Sequence, residues 1–137
     1  ADNYGVSLTY GMQENGAANE TYTALNAFYS FDNGLNISAG YEVGDLDVAD
    51  ANADETLAYF VGINGDVGPG ELGAAIGTNG SQTESAGSIT EEMMYEVYYD
   101  YPLNDGVTIT PLVFVKESST TGTPDQTGVM VKTTFKF

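Results

Sequence analysis

Eight times along this chain, apolar residues alternate with small or polar ones at a period of two, a pattern that confines it to strands with one apolar face. In the first run Tyr4, Val6, Leu8, Tyr10 and Met12 alternate with Gly5, Ser7, Thr9, Gly11 and Gln13. The sixth sets Met93, Tyr95, Val97, Tyr99 and Tyr101 against Glu92, Met94, Glu96, Tyr98 and Asp100. Strands are expected near 4–13, 22–31, 35–44, 56–64, 71–77, 90–101, 107–116 and 128–137, the fifth being short and weak. Most of the runs have the roughly 9–12 residues that a tilted strand needs to cross a bilayer. A soluble sandwich alternates as well, so alternation alone does not choose between them.

Three further features favour a membrane barrel. Runs two and three are joined by Asp32-Asn33-Gly34, a tight hairpin sequence, and two other connections, 66–70 and 102–106, are short and turn-rich. The intervening connections near 45–55, 78–90 and 117–127 are longer and polar, while 14–20 is shorter. Short turns at one end and long loops at the other are the pattern of outer-membrane barrels. Aromatic residues also gather at strand ends: Tyr4, Tyr29, Phe31, Tyr99, Tyr101 and Phe135 at the short-turn end, and Tyr10, Tyr41 and Tyr59 toward the loops. A Tyr at a membrane interface keeps its ring in the apolar boundary and its hydroxyl in water. Finally, the last run closes on alternating Val131, Phe135 and Phe137, which resembles the C-terminal signal read by barrel-assembly machinery. Pro111 lies inside the seventh run, where its missing N–H predicts a local bulge.

Composition excludes several function classes. The chain has no Cys and no His, and its three cations are Lys116, Lys132 and Lys136. Twenty carboxylates leave a net charge of −17, which argues against nucleic-acid binding. Ten Tyr and six Phe argue against disorder. No apolar run is long enough for a transmembrane helix, and no basic and apolar leader opens the chain, which therefore reads as mature protein or as a segment of a longer one.

The stretches Tyr95-Glu96-Val97-Tyr98-Tyr99 and Asn104-Asp105-Gly106-Val107-Thr108-Ile109-Thr110-Pro111, and the ending Gly128 to Phe137, resemble the last hairpins of cyanobacterial outer-membrane porins. This family is related to carbohydrate-type porins and often carries the label of iron-uptake porins. The resemblance is specific over 89–137 and general over 1–88. It implies a C-terminal barrel portion without the family's N-terminal peptidoglycan-binding and coiled-coil parts, an integral outer-membrane location, and a trimeric homo-oligomer. Either half of a larger porin barrel or a small relative closing with eight strands fits the length. Eight strands leave an interior just filled by side chains, whereas 16 leave an aqueous channel.

The expected architecture is thus an all-β, antiparallel, up-and-down transmembrane β-barrel of about eight strands. Its partners are the lipid bilayer and the assembly machinery. Without His, no nucleophile has its usual activator, and Glu91, Glu92 and Glu96 are better read as strand-face carboxylates than as an acid/base pair; no enzymatic activity and no cofactor are expected. Candidate pore-lining residues are Glu42, Glu92, Glu96, Asp100, Lys116 and Lys132, which predict a preference for cations or neutral solutes. The acidic loop carrying Asp45, Asp47, Asp50 and Asp54 is a weak candidate for Ca²⁺ or Mg²⁺ and lacks EF-hand spacing. Three functions compete: a passive porin for ions and small hydrophilic solutes, iron among them; a plugged barrel serving as anchor or adhesion surface; and an extracellular β-rich fibre or pilus subunit.

Overall fold

The computed structural model describes residues 3–15, 18–47 and 53–137. These residues form one antiparallel sheet of nine strands with no helix among them. The strands are β1 (Tyr4–Asn15), β2 (Ala18–Ser30), β3 (Asn36–Leu46), β4 (Glu55–Val67), β5 (Gly70–Thr78), β6 (Gln82–Thr83), β7 (Met93–Asn104), β8 (Val107–Lys116) and β9 (Gln126–Phe135). Eight long strands follow one another in chain order, each beside its predecessor, and the two-residue β6 pairs with β4. The sheet is not closed: β1 and β9 are its two edges.

The turn chemistry explains the meander. Gly34 adopts φ 84°, a left-handed conformation that costs glycine nothing, and its N–H donates to Phe31 O at 3.0 Å. Gly68 (φ 61°) and Pro69 are all that separates β4 from β5, and Asp105-Gly106 joins β7 to β8. These three turns lie at one end of the sheet. The strand ends that lead into 47–54, 79–92 and 117–125, and into 16–17, lie at the other end; residues 16–17 and 48–52 themselves are outside the described residues.

Several boundaries differ from the sequence-based expectation. The connection expected over 14–20 contracts because Asn15 pairs with Ala18. The weak fifth run is a regular nine-residue strand, paired to β4 through Gly70–Gly77 and to β7 through Glu71–Thr78. No bulge sits at Pro111, which pairs in register with Val131; on its other side the β7–β8 ladder skips from Tyr98–Leu112 to Tyr101–Ile109 without slipping. The irregularity falls instead at Pro102/Asn104, beside the turn.

Register places every alternating apolar residue on one face. Tyr4 opposes Tyr29, Leu8 opposes Leu25, Tyr41 opposes Tyr59 and Val113 opposes Val129. This face is open to the surroundings, with Leu8 74% and Val129 76% exposed, and among the described residues no hydrophobic residue is buried. The buried positions of the long strands, Gly40, Thr56, Gly73, Gly77 and Thr110, all lie on the opposite, polar face. A soluble two-layer fold has the reverse arrangement, with its apolar face covered.

Candidate functional site

The polar face is built on a repeated pairing of aromatics with glycines across strands. Phe28 opposes Gly5, Tyr22 opposes Gly44, Phe60 opposes Gly40 and Gly77, Tyr98 opposes Gly73, and Phe114 opposes Gly128. At Gly5, Gly40, Gly44, Gly73 and Gly128 an added Cβ would fall within 3.0 Å of the aromatic side chain. The rings therefore lie down over glycine backbone instead of standing off the sheet. Alternation places Phe28, Phe60, Tyr98 and Phe114 on this face, but only the register reveals their glycine partners.

Six strand carboxylates project from the same face: Glu20, Glu42, Asp66, Glu71, Glu96 and Asp100. Two lysines, Lys116 and Lys132, share it. Asp66, Glu71 and Asp100 are direct cross-strand neighbours in sequence across β4, β5 and β7, at the short-turn end. Like charges placed directly opposite destabilise a ladder, so this row needs water around it. It lines an open cleft of about 490 Å³ with Pro102 and Thr108. The buried Thr110 hydroxyl donates to Asp100 and holds one of the three in place. Glu42 sits toward the loop end and accepts a hydrogen bond from Ser81 at 3.0 Å.

Five of the six proposed pore-lining residues, Glu42, Glu96, Asp100, Lys116 and Lys132, thus share the polar face. Glu92 lies outside the strands. It precedes β7, its N–H donates to Gln82 Oε1 at 3.4 Å and its carbonyl accepts from Asn79 N–H at 2.7 Å, so its backbone closes the long loop. The buried Gln82 completes that loop by donating to Asn79 O at 2.9 Å. Asp66 escaped sequence reasoning because the turn-like residues from Asp66 to Gly70 hid the end of β4, and Glu71, at the start of the expected 71–77 strand, because only the register reveals its partners Asp66 and Asp100.

On the apolar face, charge is confined to the loop end, at Glu14, Asp45 and Glu55. From Tyr4 to Met12 the face of β1 carries none. Nine residues at about 3.3 Å each span about 30 Å, or about 23 Å along the axis of a barrel with strands tilted near 40°. An outer-membrane barrel exposes an apolar band about 25 Å tall. Tyrosines border this zone, their hydroxyls directed to polar partners. Tyr99 donates to Val67 O at 2.7 Å at the turn end; Tyr59 donates to Glu91 at 2.8 Å and Tyr95 to Glu117 at 3.0 Å at the loop end. Tyr4 faces Tyr29, Tyr101 faces Ile109 and Phe135 faces Val107 in the ladder. Phe31 lies just beyond β2, packed edge-on against Tyr29 at 4.7 Å. At the C-terminus Val131 and Phe135 are on the apolar face of β9, and Phe137 follows the strand and stacks with Phe135 at 6.5 Å.

The acidic loop gives no metal centre in the described part. Asp45 faces Glu55 on the apolar side, Asp47 N–H donates to Asn19 O, and Asp54 contributes its carbonyl to Leu46 N–H. Among the described residues no group of three potential ligands converges, and Asp50 lies outside them. Glu84, in the long loop, has one carboxylate oxygen enclosed without a partner. Burial, followed by the neighbouring carboxylates of Asp54 and Glu55, raises its pKa above the usual carboxylate range. No protein-family model, curated protein or solved structure matches the chain.

Proposed function

We propose that this chain forms part of the wall of an outer-membrane porin, its apolar face against lipid and its polar face toward a water-filled passage for ions and small hydrophilic solutes. The observation that carries this reading is the inverted burial: the apolar face is open, and the protected positions on the long strands are glycine and threonine. Hydrocarbon solvates such an apolar face, whereas water would drive it to associate. The tyrosine borders and the uncharged zone between them support the same orientation. Six carboxylates against two lysines on the polar face favour cations and disfavour anions. Inorganic ions, iron among them, follow from the resemblance noted above, and the location would be the bacterial outer membrane.

The test is reconstitution into a planar bilayer with an asymmetric salt gradient. Stepwise conductance with a cation-selective reversal potential is the expected result. A chain that stays soluble and monodisperse without detergent, and gives no channels, would defeat the proposal. A fibre subunit is the second reading, because two free sheet edges also suit end-to-end polymerisation. Filaments formed in detergent-free buffer would establish it.

A further inference from the structure

We propose that Glu42 and the two aromatic rings beside it form a binding site for small organic ammonium ions, quaternary ones above all, on the polar face toward the loop end. The inference deepens the reading above and rests on it in taking that face to meet water.

The site is written in five residues of β3, Gly40-Tyr41-Glu42-Val43-Gly44. Alternation puts Gly40, Glu42 and Gly44 on the polar face. Phe60 reaches across from β4 and lays its ring over Gly40, and Tyr22 reaches from β2 and lays its ring over Gly44. A Cβ at either glycine would strike the ring. The direct cross-strand neighbours of Glu42 are Ala24 and Ala58, too short to cover it. The carboxylate therefore stands in a shallow basin with a ring at two opposite corners. Over Gly44 the Thr56 hydroxyl is buried without a hydrogen-bond partner, a state that the hydroxyl of a guest would relieve.

The loop after β5 closes the basin from above. β6 continues the line of β5 along β4, and Asn79, Gly80 and Ser81 bulge out between them. Gly80 takes φ 76°, and the buried Gln82 holds the bulge by donating to Asn79 O at 2.9 Å and Gly80 O at 3.3 Å. The bulge reaches over β4, so that the Ser81 hydroxyl donates to Glu42 Oε1 at 3.0 Å and fixes the carboxylate. A recess opens on either side of Glu42. One of about 260 Å³ lies toward Phe60 and is bounded by Gly80; the other, about 370 Å³, lies toward Tyr22 and is bounded by Ser81.

This combination selects by charge and by hydration together. Each ring rests one face on glycine and turns the other outward, and a ring face carries negative potential. Glu42 is two residues from each glycine, about 7 Å along the strand. Cation–π attraction acts within about 6 Å of a ring centroid. The charge of a quaternary ammonium is spread over its methyl groups, which extend from the carboxylate toward both rings. A hydrated inorganic cation meets a single carboxylate here and gains the rings only by shedding water. Neutral solutes forgo the charge, and anions are repelled by it. The lysines of the polar face do not neutralise Glu42, since they stand on β8 and β9, three or more strands from β4.

Choline is the probe, and its neutral isostere 3,3-dimethyl-1-butanol the control. Binding to the folded chain in a polyoxyethylene detergent is followed by saturation-transfer NMR. Choline should bind, with its N-methyl signal the most strongly saturated, and the isostere should bind at least about tenfold more weakly. Glu42→Gln, which keeps an acceptor for Ser81, should weaken choline by about tenfold or more. Phe60→Leu and Tyr22→Leu should each weaken it by about two- to fivefold. Phe28→Leu, which removes a ring laid over Gly5 with no carboxylate beside it, should leave binding unchanged. No choline binding, equal binding of the isostere, equal displacement by potassium and by tetramethylammonium, or indifference to Glu42→Gln would each overturn the proposal. The isostere and potassium comparisons use the unsubstituted chain and hold even if a variant fails to fold. Choline binding by a chain that gives no channels would sink the porin reading alone, and channels without choline binding would sink the ammonium site alone.

Discussion

Gly73 and Gly77 sit four residues apart on β5, both buried on the polar face, yet a methyl group added at each should behave differently. At Gly73 the new Cβ would meet the Tyr98 ring and hydroxyl, the far end of a side chain that can rotate away. At Gly77 it would meet Tyr59 O and the Phe60 Cβ and Cα, which belong to the neighbouring strand itself. Overpacking of this kind costs about 1–3 kcal/mol. Removing the ring reverses the sign at one site only: in a Tyr98→Ala background Gly73→Ala should stabilise by about 0.5–1 kcal/mol, the ordinary advantage of alanine over glycine inside a strand. The coupling between positions 73 and 98 should therefore be about 2 kcal/mol or more. Phe60→Ala retains the Cβ and leaves Tyr59 O in place, so it should not rescue Gly77→Ala. The assay is urea-driven unfolding in lipid vesicles at fixed protein concentration, followed by far-UV circular dichroism because the chain has no Trp. Additive effects of Gly73→Ala and Tyr98→Ala would refute the packing of ring on glycine. Rescue of Gly77→Ala by Phe60→Ala would refute the backbone clash.

Other consequences follow from the two faces and the loop. Val61→Arg, near the middle of β4 on the apolar face, should cost about 2–4 kcal/mol in vesicles, while Ser38→Arg on the polar face should cost much less; equal costs would contradict the assignment of faces. Glu71→Gln combined with Asp100→Asn should move the reversal potential toward zero selectivity without abolishing conductance, and an unchanged potential would remove the acidic row from the ion path. Glu84 has its folded pKa raised by burial and by Asp54 and Glu55, so it binds its proton more tightly when the loop is in place. Stability from this site is then fully present below the ordinary glutamate pKa and is lost as pH rises through the raised value. Hydrogen-exchange protection of the Glu84 N–H, which donates to Glu55 O at 2.8 Å, should fall over that window, and Glu84→Gln should flatten the dependence.

The alternation in the sequence was enough to assign faces, because a period of two leaves no other way to keep Tyr4, Val6, Leu8, Tyr10 and Met12 together. Turn composition located the three short connections for an equally local reason: Gly34 and Gly68 need positive φ. What eluded sequence reasoning depends on register. The Gly73–Tyr98 and Gly40–Phe60 pairs join residues 25 and 20 positions apart, and nothing at either position announces its partner. The row of Asp66, Glu71 and Asp100 is invisible for the same reason, compounded by the turn-like residues between its first two members. β6 is set by hydrogen bonds of Gln82 to loop backbone in an otherwise polar stretch, which has no periodicity to betray it. Pro111 predicted a bulge, but the strand tolerates it as a gap in one ladder while its other edge pairs normally.

Whether the sheet closes depends on its solvent more than on its pattern. In water an open edge is satisfied by hydration, and β1 and β9 could remain bare. In hydrocarbon each unsatisfied backbone group costs several kcal/mol. An edge strand of 10–12 residues turns about half its N–H and C=O groups outward, so two such edges amount to tens of kcal/mol. No packing on the apolar face offsets this, since lipid is as good a neighbour to Leu8 or Val129 as another side chain. The exposed apolar face and the open edges are therefore incompatible with the same environment. Water suits the edges and opposes the face, lipid suits the face and opposes the edges, and in hydrocarbon β1 and β9 must therefore each pair with a further strand.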